Sequence, residues 1–164
     1  MVEEVLYSRA SGAELMSPVV IYDEGKYKIW TDHFFANKFE YWESETGKDW
    51  VKIRDIPFPA HPEGLKPWHM DIKRTSRGYE MYYCAGLNYN TQEICYAISQ
   101  DNVTYEYVDT VITPMPNNFD EARLYRPCFV DLFGKRYLYY GGTTNANRWY
   151  IGLTQGYTSN PVVF

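Results

Sequence analysis

Hydrophobic residues alternate with polar ones along the chain or form short clusters, and they do not recur every three to four positions. A period of two is typical of β-strands with one buried face, whereas a period near 3.6 indicates a helix. Glycines separate the strand-like runs and supply the positive φ that tight hairpins require. The pattern predicts an all-β protein, with a single helical turn at residues 118–124.

Three segments of the sequence resemble one another: SPVVIYDEGKYKIWTD (17–32), HMDIKRTSRGYEMYYCAG (69–86) and RPCFVDLFGKRYLYYGG (126–142). Each contains a short apolar strand, a turn with glycine and an aromatic strand. Their alignment gives two aromatic columns, Tyr27/Tyr79/Tyr137 and Trp30/Tyr82/Tyr140. The repetition predicts three copies of one antiparallel unit.

A second half-repeat follows each segment, at residues 39–50, 94–107 and 149–160, and places Ser44, Ser99 and Thr154 in one column. Each complete repeat then has four strands within about 55 residues, which suits a propeller blade better than a solenoid coil. The sequence predicts one domain over residues 1–164, a partial β-propeller of about three four-stranded antiparallel blades at roughly 15–56, 68–112 and 125–164.

Closed propellers typically have four to eight blades, so three blades leave strand edges and aromatic faces open. The count predicts either a homo-oligomer or a longer chain that supplies the missing blades. The sequence does not choose between these two possibilities.

Composition narrows the possible partners. The chain has 17 Tyr, 8 Phe and 5 Trp, residues that favour strands and also stack on flat ligands. The net charge is -5 with both signs well mixed, so neither nucleic acid nor an anionic membrane is an expected partner. The opening residues 1–15 are acidic and lack the apolar stretch of a signal peptide, so no signal peptide is expected; the location stays unknown, with the cytoplasm as the default. The three cysteines lack zinc-like spacing and are predicted to be reduced and buried.

The blade motifs SPVV…GKYKIW, PWHMDI, YRPCFV…GKRYLYY and ESETGKDW resemble those of the five-bladed propellers of glycoside hydrolase families 43 and 32. The resemblance covers nearly all of residues 15–160. It implies a glycosidase-like protein acting on furanosides or pentosides, in which three carboxylates converge at the axial funnel. The WHMDI stretch resembles the segment that provides the middle carboxylate, which implies that role for Asp71. The family's Asp-Pro and Glu-Gly-Pro motifs are replaced by Ser17-Pro18 and Arg126-Pro127.

The first strands of the three repeats open with unlike polar residues: Ser17, His69 and Arg126, followed two positions later by Val19, Asp71 and Cys128. Innermost propeller strands run along the central channel, so equivalent positions are expected to face one axis. A structural repeat does not need a histidine, an aspartate and an arginine at these points, whereas a functional site on the scaffold does.

Hydrolysis of an acetal needs a proton donor and a second carboxylate. Asp71 and Glu121 are the predicted catalytic pair. Asp32 is a further candidate carboxylate or substrate contact. The structural alternatives are that Asp71 bonds to backbone amides at a blade junction, that Glu121 is only solvated and that Asp32 merely ends its strand.

Substrate binding is predicted for four other side chains. Arg126 could bind a sugar hydroxyl or carboxylate through its fork of donors, or form an interblade salt bridge with Glu121 or Asp120. His69 could donate to hydroxyls, help to hold a channel cation such as calcium, or be purely structural; no other cofactor is expected. Trp68 and Trp30 are predicted to form a stacking floor for a sugar ring.

The leading interpretation is a carbohydrate-directed hydrolase that acts on or binds a glycan. The alternative is a non-catalytic carbohydrate-binding or assembly module that kept the propeller and lost carboxylates.

Overall fold

The computed structural model describes residues 16–33, 36–88 and 91–164, and these residues form three antiparallel sheets in which strand order follows the chain. The first sheet contains β1 Met16–Asp23, β2 Lys26–His33, β3 Lys38–Ser44 and β4 Val51–Pro57. The second contains β5 Lys66–Thr75, β6 Gly78–Asn88, β7 Thr91–Ser99 and β8 Glu106–Ile112. The third contains β9 Arg123–Leu132, β10 Lys135–Thr143 and β11 Trp149–Tyr157. The all-β propeller-type architecture predicted from the repeats is confirmed.

The third sheet differs from the prediction in having three strands. After β11 the chain makes a single bridge between Tyr157 and Asn160 and does not form a fourth strand. The helical turn predicted at residues 118–124 is also absent: turns and bends lead directly into β9, which begins at Arg123. The prediction that the opening residues are not a signal peptide concerns residues 1–15, and these lie outside the described residues.

Tight hairpins join the first two strands of each sheet. Positive φ angles at Glu24 and Gly25, and at Phe133 and Gly134, fit two-residue turns of the type that matches strand twist. In the second sheet the turn residues are Ser76 and Arg77, and the following Gly78 already belongs to β6. A Cβ on Gly78 would lie 2.4 Å from the carbonyl oxygen of Ser99, so its glycine is required by close backbone approach.

The pairing register of the three hairpins corrects the aromatic columns predicted from the sequence. Counted from the pair that closes each hairpin, Tyr27 and Tyr79 share a column with Arg136, and Tyr137 lies one position further on. In the same count Tyr139, rather than Tyr140, is the equivalent of Trp30 and Tyr82. Thr154 pairs with Leu138, two positions before Gly156, the residue equivalent to Ser44 and Ser99. A one-residue slip reverses the face of a side chain, so these shifts decide which residues meet between sheets.

The first strands of successive sheets contact each other, β1 with β5 and β5 with β9, as expected of innermost propeller strands. Two apolar clusters fill the spaces between sheets. The first lies between the first and second sheets and contains Val19, Trp30, Phe39, Tyr41, Ile56, Met70, Ile72, Tyr79, Met81, Tyr83, Ala85, Cys95, Ala97 and Tyr105. The second lies between the second and third sheets and contains Trp68, Tyr82, Cys84, Ile94, Tyr96, Leu124, Phe129, Leu138 and Tyr140.

The outward faces of the first and third sheets are apolar and exposed. On the first sheet these residues are Val20, Tyr22 and Tyr27, and on the third sheet they are Val130, Leu132, Tyr139, Ile151, Leu153 and Tyr157. The middle sheet is covered on both sides, whereas each end sheet has exposed apolar residues on the side away from the middle sheet. The open faces predicted from the blade count are therefore present in the described part of the chain.

No helix among the described residues is both long enough and apolar enough to cross a membrane.

Candidate functional site

The first strands of the three sheets meet around one cavity of about 490 Å³, called here the axial cavity. Its wall consists of residues 17–20 of β1, 69–71 of β5 and 126–128 of β9. The positions that the repeat alignment assigns to a shared axis therefore lie together. The cavity lies where three separate parts of the chain converge.

The backbone of the innermost strands is irregular at this cavity. Strand register shifts between Met16 and Val19 on β1 and between Pro67 and His69 on β5. Ser17 and Arg126 both have positive φ angles, 53° and 45°. Bulges re-aim side chains, and a left-handed backbone at a non-glycine residue costs on the order of 1 kcal/mol. Such costs are found preferentially at functional sites.

His69 joins all three sheets by hydrogen bonds. Its Nδ1 contacts the hydroxyl of Ser17 on β1, and its Nε2 lies 2.5 Å from the hydroxyl of Tyr125 on β9. Burial, together with the positive charge of Arg126, lowers the pKa of His69 to about 3. The ring is therefore neutral near pH 7, and one nitrogen donates while the other accepts. His69 holds the cavity together and also forms part of its wall.

Asp71 reaches from β5 to β9, where its Oδ2 accepts the backbone N–H of Phe129 at 2.8 Å. Burial raises the pKa of Asp71, although the Phe129 amide and the charge of Lys73, whose Nζ lies 3.8 Å away, oppose the rise. The bond to a backbone amide at a blade junction, given above as the structural alternative, is present. Asp71 nevertheless lines the cavity, and a raised pKa is the property that a carboxyl group needs to act as a general acid.

Arg126 is exposed and forms no ion pair with any carboxylate in the described ranges. Its guanidinium carbon lies 5.6 Å from the centre of the Tyr125 ring. The acids proposed as its partners are engaged elsewhere: Glu121 accepts the backbone N–H of Asn145 at 3.0 Å, and Asp120 accepts the hydroxyl of Tyr140 at 3.0 Å. The interblade salt bridge is therefore not formed, and Glu121 lies outside the axial cavity.

The remaining predicted contacts are buried in the sheet interfaces. Trp30 has no exposed surface and donates from Nε1 to Asn102 Oδ1 at 3.0 Å, so its ring is blade core and cannot stack on a sugar here. Trp68 is 7% exposed and packs edge-on against His69, with ring centres 5.8 Å apart. It supports the cavity from behind and does not form a floor.

Asp32 is fully buried, and neither of its carboxyl oxygens has a hydrogen-bond partner among the described residues. Burial raises its pKa to about 8, so it is mostly protonated at pH 7. It lies between the first two sheets and does not line the axial cavity. Asp32 is therefore not accessible to a substrate.

Sequence reasoning missed two features of the cavity. Tyr125, the hydrogen-bond partner of His69, directly precedes Arg126, and only this adjacency could have signalled it. Cys128 is exposed and lines the cavity, so the prediction that all three cysteines are buried is wrong for this residue, whereas Cys84 and Cys95 are buried. The reason is strand alternation, which turns Cys128 to the open face of β9.

Metal-ligating side chains form one group of three in the described part of the chain, and it lies away from the axis. His61, Glu93 and Cys95 bring their ligand atoms within 4.8 Å of one another. His61 Nδ1 accepts the backbone N–H of Glu63 at 3.1 Å, which leaves the ring proton on Nε2, 3.2 Å from Glu93 Oε1. A ligating histidine normally donates from its other nitrogen, so this arrangement is a hydrogen-bonded pair rather than a metal centre. A channel cation beside His69 stays a prediction.

Comparison of the sequence with models of protein families and with curated proteins finds no match.

Solved structures with the same architecture do match. An N-acetylgalactosamine deacetylase from F. plautii, in complex with blood group B trisaccharide, superposes with a TM-score of 0.79 at 18% identity, over 93% of this chain and 52% of that one. A family 117 glycoside hydrolase from Zobellia galactanivorans gives 0.69 at 17% identity, over 90% and 53%. A family 32 β-fructofuranosidase from Bombyx mori, in complex with sucrose, gives 0.67 at 13% identity, over 88% and 34%.

The chain spans about half the length, or less, of these proteins. At such identities the likeness concerns the fold alone. The resemblance inferred from the blade motifs is confirmed at that level: the chain has the fold of propeller-type glycoside hydrolases and their structural relatives.

Proposed function

We propose that this protein binds a glycan in the axial cavity. The observation that carries the proposal is the convergence of Ser17, His69, Asp71 and Arg126 from three separate strands on one opening of about 490 Å³. Hydroxyl, carboxyl and guanidinium groups offer the donors and acceptors that sugar hydroxyls need, while both ring nitrogens of His69 are already bonded within the protein and hold the wall in place. The size is in the range of small-ligand sites, roughly 300–1,000 Å³.

The structural relatives support this ligand class, because two of them are complexes with carbohydrates. Fold alone does not determine function, so the residues of the cavity have to carry the argument. Unlike polar groups occupy equivalent points of a repeat whose hairpins are otherwise alike. Ser17, His69 and Asp71 also bond between sheets, whereas no bond of this kind is present for the Arg126 side chain in the described part of the chain. Ligand recognition accounts for the arginine, and blade packing does not.

Hydrolysis of the glycan is the second candidate, and the raised pKa of Asp71 favours it. An Asp71 carboxyl that stays protonated to a higher pH can give its proton to a leaving oxygen. A glycosidase of the usual kind also needs a second carboxylate within about 10 Å. Among the described residues Asp71 is the one carboxylate of the cavity wall, so binding is supported better than hydrolysis.

Binding can be tested with saturation-transfer NMR, using L-arabinose, D-xylose, N-acetylgalactosamine and sucrose as probes. We expect at least one probe to bind, and the variants Ser17→Gly and Asp71→Asn to weaken it roughly tenfold, about the effect of losing one or two hydrogen bonds. Gly tolerates the φ of position 17, which keeps this variant folded. Met115→Ala, in an exposed loop, is the matched control. Equal binding by the wild-type protein and all three variants would show that the glycan does not bind in the axial cavity.

Hydrolysis can be tested with aryl arabinofuranosides. If Asp71 is the acid, the wild-type protein releases the aryl group and Asp71→Asn does not. Unchanged release in Asp71→Asn would exclude Asp71 as the acid. Binding of a glycan without any release would support a non-catalytic glycan-binding module.

We also propose that the open faces of the first and third sheets are covered, either by a second copy of the chain or by blades of a longer chain. Light scattering distinguishes the two: a mass above that of one chain supports self-association, and one 19.4 kDa species at all concentrations supports further blades.

A further inference from the structure

The charge of the axial cavity is unusual for a site that would hydrolyse glycosides. Cleavage of a glycosidic bond passes through a positively charged, oxocarbenium-like transition state, which carboxylates stabilise. The equivalent innermost positions are Ser17, His69 and Arg126 and, two residues on, Val19, Asp71 and Cys128. Together these six positions present one carboxyl group, that of Asp71, and one guanidinium, that of Arg126.

The other ionisable groups of the cavity do not neutralise Arg126. His69 is uncharged near pH 7. Burial raises the pKa of the Cys128 thiol, and it stays neutral as well. Asp71 has its Oδ2 bound to the Phe129 amide, and no N–O distance of 4 Å or less links it to Arg126 within the described ranges. Arg126 therefore lines the cavity without an ion pair to any carboxylate of the described residues.

Two arginines at the sheet interfaces are paired with carboxylates, whereas Arg74, like Arg126, has a ring contact and no ion pair in the described ranges. Arg77 Nε lies 2.7 Å from Glu80, and Arg136 Nη2 lies 2.6 Å from Asp131. Arg123, on the same strand as Arg126, bonds to the side-chain oxygen of Asn147 at 3.1 Å and stacks on Trp149. Among the described residues Arg126 contacts the Tyr125 ring, and unlike Arg74 it has its backbone held in the left-handed region. Backbone strain of this kind is found preferentially at functional sites, which supports a side chain placed for a ligand.

We propose that the glycan bound in the axial cavity is acidic, and that Arg126 binds the carboxylate of a uronic acid residue through its paired N–H donors. This inference rests on the proposed glycan binding and specifies its substrate class. The planar fork of arginine matches a carboxylate bidentately, and such charge-assisted pairs are stronger than neutral hydrogen bonds. Asp71, on β5, lines the same cavity.

The test compares matched sugars by isothermal titration calorimetry at low salt: D-galacturonate with D-galactose, and D-glucuronate with D-glucose. We expect each acid to bind roughly tenfold or more tightly than its neutral partner, the effect typical of a hydrogen bond to a charged group. Arg126→Met should abolish the preference and change the affinity for the neutral sugar less than about threefold. Arg126→Lys should keep part of the preference, because it keeps the charge but not the fork.

Arg123→Met is the matched control, since it removes the same charge from the same strand outside the cavity, and it should leave the preference intact. Equal affinities for acidic and neutral sugars would overturn the inference while leaving glycan binding in place. If neither kind of sugar binds, both the inference and the proposed function fail. Inorganic phosphate and sulfate complete the series: binding of either as tightly as galacturonate, lost in Arg126→Met, would assign the subsite to a free anion and overturn the uronate assignment.

Discussion

Each of the two interfaces between sheets has a polar contact at the same position of the repeat. The residue supplied by the earlier sheet is a cation, Lys28, at one interface and an anion, Glu80, at the other. Between the first and second sheets Lys28 Nζ donates to the hydroxyl of Tyr79 at 2.9 Å. Between the second and third sheets the equivalent residues are Glu80 and Arg136, which form an ion pair with almost no exposed surface. The hairpin register identifies these positions as equivalent. The repeat thus preserves geometry while changing chemistry.

This difference specifies which sheet lies next to which. If the third sheet packed against the first, Arg136 would meet Lys28, and two like charges would be buried together. With the observed order, a carboxylate meets the guanidinium and a phenol meets the ammonium. Surface pairs around each contact add partners, Asp23 and Glu24 to Lys28 and Asp131 to Arg136. Like-charge repulsion of this kind is a common way to exclude wrong pairings.

Removal of Arg136 should have the largest effect on this comparison. Arg136→Met leaves Glu80 buried next to the third sheet with only Arg77 and Thr75 as partners, and losing one member of a buried pair costs about 3–5 kcal/mol. We expect a loss of that size in the free energy of unfolding measured with urea. The double variant Glu80→Met/Arg136→Met should recover much of it, because well-packed apolar residues can replace a buried pair.

A loss below about 1 kcal/mol in Arg136→Met would mean that the pair contributes little, as exposed pairs do. Failure of the double variant to recover stability would mean that Arg136 acts through its packing on Tyr82 and Phe129 instead.

The sequence predicted the three-fold repetition, the glycine hairpins and the axial column of Ser17, His69 and Arg126, because these depend on local pattern and on counting from the turns. It could not give the partner of each side chain between sheets. Tyr27 lies two residues after Gly25 and Arg136 lies two residues after Gly134, so aligning the tyrosines instead of the turns put Tyr137 in the column that Arg136 occupies. The prediction that Trp30 stacks on a sugar ring was wrong because the strand pattern does not reveal which face of β2 the second sheet covers.

Asp32 adds a pH dependence to the first interface. Its folded pKa of about 8 lies above the ordinary value of 3.8, so the folded protein holds a proton that the unfolded chain releases between these values. Stability therefore falls as pH rises from about 4 to about 8, by about 1.4 kcal/mol per pH unit. His69 acts in the opposite sense below about pH 6.5, because its folded pKa of about 3 lets only the unfolded chain take up a proton.

The clearest window for Asp32 is thus pH 7–8, where His69 is mostly uncharged in both the folded and the unfolded chain. Over this window the wild-type protein should lose about 1 kcal/mol, and Asp32→Asn should not. Urea unfolding at several pH values measures both slopes. Parallel slopes for the two proteins would show that Asp32 is ionised in the folded state and has found a partner.

Lys28→Met tests the weaker of the two polar contacts. We expect a loss of about 1–2 kcal/mol, smaller than for Arg136→Met, because Asp23 and Glu24 keep contact with solvent when the ammonium is removed. A loss equal to that of Arg136→Met would show that the two interfaces are energetically alike and that the exposure of the partners does not decide the cost.

The open face of the third sheet should give the smallest effect on the stability of a single chain. Ile151 is 85% exposed, so Ile151→Lys should change the free energy of unfolding in dilute solution by no more than about 0.5 kcal/mol. Leu138→Ala, on the covered face of the same sheet, should cost about 2–5 kcal/mol and serves as the reference.

If a second copy covers the open face, Ile151→Lys also lowers the mass observed by light scattering at high concentration, because a lysine charge would be buried there without a partner. A concentration-independent mass in both proteins assigns the face to further blades, and a large loss in dilute solution would show that Ile151 already packs within the chain.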